Sequence, residues 1–65
     1  MKTVENLIEK INHILYLENF SQKPDSTLLI EFYELYKVFG NDITNSEKKT
    51  DAERIMRKYI LTKQS

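Results

Sequence analysis

The chain has no cysteine, one glycine and one proline among its 65 residues, no tryptophan, and a single histidine. Each scarcity removes a class of protein. Without cysteine there is no disulfide and no zinc-thiolate site, and one histidine cannot build a cluster of imidazole ligands, so neither metal nor cofactor is expected. A domain this short buries only about 60% of the surface its unfolded chain exposes. With no covalent or metallic staple, stability has to come from close helix packing or from self-association. One glycine and one proline are too few to turn the chain through a β-rich fold, and 40% hydrophobic residues are too many for a disordered one. No apolar run approaches the ~20 residues of a membrane span. Glu5, Glu9 and Glu18 interrupt the N-terminal segment where a secretory signal needs an uncharged stretch. A cytoplasmic protein with no membrane partner is the expectation.

Net charge is also missing. Ten basic and ten acidic residues cancel, so no global field draws the chain to nucleic acid. The distribution is uneven all the same: acidic side chains prevail through residue 39, whereas residues 44–65 carry six basic against three acidic.

What the sequence does have is helical periodicity. Val4, Leu7, Ile8, Ile11, Ile14 and Leu15 recur at steps of three and four, with Thr3 able to cap and Glu5 well placed in the first turn. Pro24 disfavours helix at the residue before it, which puts a turn between Phe20 and Asp25. Asp25 or Ser26 caps a second run through Leu28, Leu29, Phe32, Leu35, Tyr36 and Phe39, stopped by Gly40 and Asn41. A strand is disfavoured there because Glu31 and Glu34 stand three apart rather than alternating. The third run is Ala52, Ile55, Met56, Tyr59 and Ile60; Thr44 to Glu47 and Thr50 to Glu53 both have capping-box spacing, so the helix starts at one or the other. The expected fold is all-α: one domain, a small bundle of three short helices over about residues 3–19, 26–39 and 46–62.

The second run is greasier than one bundle needs. Its apolar side covers roughly 160° of circumference, against about 100° for an ordinary surface helix, and Ile30 and Val38 fall in its polar sector. Either this helix is central, covered on two sides, or part of it meets another chain. A homodimer would bury the excess, and aromatic side chains suit interfaces. Tyr16 and Leu17 lie off the stripe of the first helix in the same way. Tyr16, Leu17, Ile30, Tyr33 and Val38 are therefore the candidate partner or dimer interface, with Tyr33 ranked first as a large aromatic anchor.

Catalytic readings find little support. His13 is opposite Val4, one turn after Glu9, with no nucleophile or second base at a recognisable spacing. Glu31 and Glu34 share a face but lack the Glu-x-x-His pattern of a bundle metal site. Residues 41–51 are polar without the Asp-x-Asp-x-Asp-Gly pattern of a calcium loop. Arg54, Arg57 and Lys58 cluster opposite Ala52, with Lys48, Lys49 and Lys63 at the ends, and could contact nucleic acid. Asp51 and Glu53 stand at pairing distance from Arg54 and Arg57, which works against that reading. The expectation is a non-enzymatic regulator, adaptor or inhibitor that binds a protein, another chain or its own copy. The alternative is a nucleic-acid-binding regulator using the basic third helix.

Overall fold

The computed structural model describes residues 2–61, and among them there are three helices and no strand. Helix α1 runs Val4–Asn19, α2 runs Ser26–Phe39, and α3 runs Ser46–Ile55 and continues into a π-helical turn, Met56–Ile60. A short 3-10 turn, Gly40–Asp42, joins α2 to the approach to α3. The chain is an all-α small bundle. Residue 62, the expected end of the third helix, and Lys63 of its basic edge lie outside the described residues.

Local chemistry sets the helix ends. The Thr3 hydroxyl accepts from the Asn6 backbone N–H at 3.3 Å, and the Thr3 backbone N–H donates to Asn6 Oδ1 at 2.9 Å, a reciprocal cap that satisfies two groups at once. α1 then ends in a Schellman turn: the Gln22 N–H reaches back to the Leu17 carbonyl at 2.8 Å and the Ser21 N–H to the Glu18 carbonyl at 3.0 Å, with Ser21 at φ 57°. Asp25, not Ser26, caps α2 by accepting from the Leu28 N–H at 2.9 Å. The cap of α3 falls at neither expected threonine. Asn45 holds extended backbone and its side chain accepts from the Lys48 N–H at 3.1 Å, one residue after Thr44. Gly40 ends α2 in right-handed helical geometry, φ −55°, so the left-handed freedom of glycine is not what the position uses. A Cβ there would stand 3.2 Å from the Tyr36 ring, and that close approach explains the residue.

The core is closed within the single chain. Leu7, Ile11 and Ile14 of α1, Phe32 of α2, and Ala52 and Ile55 of α3 are wholly buried, with Leu28, Leu35, Ile43 and Met56 closing around them. α2 is covered on two sides, by α1 and by the third helix. α1 packs against α2, α3 and the 40–42 turn, whereas α2 meets the third helix chiefly through the π turn. Much of the excess on α2 is tucked against the core from its edges: Leu29, Tyr33, Tyr36 and Phe39 are half-buried.

Candidate functional site

The interface residues expected from sequence do not form one patch. Ile30 and Tyr33 come together on α2 beside the π turn, where with Ser26, Leu29, Tyr59 and Ile60 they line an open, mostly apolar groove of about 210 Å³. Ile30 is 60% exposed at the lip of this groove. Val38 is 68% exposed, but five helical residues from Tyr33 is roughly 140° around the axis, so it faces elsewhere. Tyr16 is exposed at the far end of α1, where its ring packs on Phe20 with centroids 4.9 Å apart. Leu17 is half-buried and packs against the core. Leu29, Tyr59 and Ile60 belong to the groove, though their spacing marks them as core; Phe20 was identifiable only as an aromatic four residues after Tyr16.

Behind the groove lies a charged cluster built on Glu18, the last acidic residue of α1. Its carboxylate accepts from Arg54 at 2.8 and 3.4 Å, lies 3.5 Å from the Lys58 ammonium, and accepts a hydrogen bond from the Tyr59 hydroxyl. The Glu18 side chain is 18% exposed and that of Arg54 is 41% exposed. The Arg54 hydrogen bonds, helped by the Tyr59 hydroxyl and the two cations, hold the Glu18 carboxyl at about 2 rather than 4.5, outweighing the opposing effect of burial. Burial and the bond to Glu18 push the Tyr59 phenol up from 10.0.

This cluster changes the account of the basic helix. Arg54 reaches across to α1 instead of back to Asp51, and both Arg54 and Lys58 are engaged by one carboxylate. Arg57 is exposed on the π turn. The π turn itself is the missed feature. In an α-helix, residues five apart diverge by about 140°. The wider i to i−5 turn, closed by the Leu61 N–H on the Met56 carbonyl, narrows that angle and lets Arg54 and Tyr59 converge on Glu18.

Two further ion pairs stand outside this cluster. Lys10 bridges to Glu31 at 3.0 Å across α1 and α2, Lys37 to Glu34 at 3.3 Å along α2, and His13 is exposed. Among the described residues no group of three or more His, Cys, Asp or Glu side chains is placed to hold a metal ion. No helix among them is long and apolar enough to cross a membrane. In comparisons with known proteins the chain matches no family model, no curated protein and no solved structure.

Proposed function

We propose that the protein is a small non-enzymatic regulator, adaptor or inhibitor, cytoplasmic, that works by binding another protein through the groove between α2 and the π turn. The observation that carries this reading is the meeting of Ile30 and Tyr33 with Leu29, Tyr59 and Ile60 in one open apolar concavity on the outside of an otherwise closed core. A concave apolar surface walled by two tyrosines favours partner capture, because ring faces bury large area while the hydroxyls stay at a polar edge. A second copy is the competing occupant. The apolar excess left for a homodimer to cover is smaller than the periodicity implies, since only Ile30 and Val38 of α2 are strongly exposed. The nucleic-acid alternative loses weight because Glu18 engages two of its three proposed contacts.

The test is affinity capture from the native host with wild type beside Tyr33→Asp. A partner retained by the wild type and lost by a folded Tyr33→Asp variant is the expected result. Identical captures by the two proteins would remove the groove from consideration. If the captured material is nucleic acid, released steeply by salt and lost in Arg57→Glu, the basic-helix alternative takes its place.

A further inference from the structure

Nothing in the residues of the π turn asks for a π register. Residues 55–61 hold no glycine or proline, and the Met, Arg, Lys and Leu among them are good α-helix formers. Local preference alone would wind the segment as plain α-helix, with the Leu61 N–H on the Arg57 carbonyl. That N–H lies on the Met56 carbonyl instead. π turns are rare, so a contact from outside the segment has to select this one.

The side chain that gains from the wider turn is Tyr59. In an unbroken α-helix it stands three, four and seven residues after Met56, Ile55 and Ala52, in line with a face that is buried. Among the described residues that core holds no buried polar side chain, so it offers the phenol hydroxyl no side-chain partner, and an unpaired buried hydroxyl is costly. Turned by the π register, the hydroxyl donates to Glu18 of α1 while the ring walls the groove. Charge does not make this choice. Asp51, Glu53 and Arg54 all precede Met56 and keep their places in either register, and Lys58, four residues after Arg54, shares its face in an α register as well.

We propose that the Tyr59 hydroxyl, bound to Glu18, sets the register in which the third helix ends, and through it the shape of the groove. With the bond made, the turn is π and Tyr59 stands in the groove wall. With the bond lost, the turn winds to α and carries the residues after Met56 round the axis by up to one residue's step, about 100°. Tyr59 and Ile60 form the third-helix side of the groove, so a bond to a residue 41 positions away governs that wall. The coupling belongs to the fold and stands whether or not a partner docks in the groove.

The experiment is NMR of the full chain, reading through-hydrogen-bond couplings from the Leu61 amide nitrogen to the carbonyl carbons of Met56 and Arg57. The wild type is expected to show the Met56 coupling. Tyr59→Phe keeps the ring and removes only the hydroxyl, so the coupling should pass to Arg57. Should circular dichroism show that variant unfolded, Glu18→Ala, which removes the acceptor, should weaken the Met56 coupling. A Met56 coupling that survives unchanged in the folded variant assigns the π turn to apolar packing of the ring and Ile60, and overturns the proposal. Lys10→Met, which breaks the Lys10–Glu31 pair elsewhere on α1, should leave the register as it is. A shift there as large as in Tyr59→Phe would mean that the helix end yields to any loss of stability, which also overturns it.

Discussion

Ser21 occupies the left-handed backbone region at φ 57°, where a residue with a Cβ is strained by roughly 1–2 kcal/mol and glycine is not. It is tolerated because the Schellman turn around it ties up the Leu17 and Glu18 carbonyls that α1 would otherwise leave unpaired. Ser21→Gly should therefore raise stability by about 0.5–1 kcal/mol, the relief of strain exceeding the added freedom of the unfolded chain. Chemical denaturation reads this as a higher midpoint at unchanged slope; a lower midpoint would mean that the serine side chain itself holds the turn. Caps of this kind were legible where one residue stood out. Thr3 precedes a clear apolar run and was identifiable alone; for the second helix Asp25 and Ser26 both fitted, and the structure selects Asp25. Thr44 and Thr50 competed for the third helix over seven positions, and the cap falls on Asn45, which was not among the candidates, two residues after the buried Ile43. Gly40 illustrates the same limit, since its role is set by the Tyr36 ring lying against it and not by a turn type.

Among the elements, the π turn at the end of the third helix determines most of what is particular to this molecule. The apolar period of α1 and α2 predicted both helices to within a residue, because each holds one α-helical register from cap to cap. The third run reads as plain α-helix in sequence, yet from Met56 its register widens and turns Tyr59 toward Glu18 and into the wall of the groove. Nothing local announces this: Glu18 lies 36 residues from Arg54 and 41 from Tyr59. The cluster leaves a pH signature. The Glu18 carboxyl is depressed in the folded chain to about 2, from 4.5, so its contribution to stability is complete above about pH 4.5 and drains away as pH falls toward 2. With Arg54 partly in water, that contribution is about 2 kcal/mol. Glu18→Gln should lose about this much at neutral pH and show a flatter decline in melting temperature between pH 4.5 and 2 than the wild type. Parallel acid profiles for the two proteins would show that the cluster contributes nothing to folding.

At the scale of the whole molecule the question is whether one chain suffices. Lack of disulfides and metal pointed to either tight packing or self-association, and the width of the α2 stripe pointed toward the second. Packing resolves much of that width, because Tyr36 lies against Gly40, Tyr33 and Leu29 wrap toward the π turn, and Phe32 is wholly enclosed. Helical periodicity gives the face of a residue but not how far a neighbouring helix reaches around it, which is why α2 looked more exposed in sequence than it is. The radius of gyration, 11.1 Å, is close to the ~10.7 Å expected of a compact domain of this length. A core completed within one chain predicts unimolecular folding, with a melting temperature that does not move when the protein is diluted a hundredfold; a midpoint that falls on dilution would show a second copy contributing to the fold. The margin is nevertheless small. A chain of this size has about 3–10 kcal/mol of stability to lose, and Phe32→Ala, which empties the largest fully buried site, costs about 3–5 kcal/mol. That variant should be largely unfolded at 37 °C by circular dichroism. Val38→Ala, at the most exposed of the large apolar side chains, should melt with the wild type, since there is little buried surface to lose. A clear destabilisation by Val38→Ala would mean that its face is covered in solution, and the covering chain would then have to be a second copy.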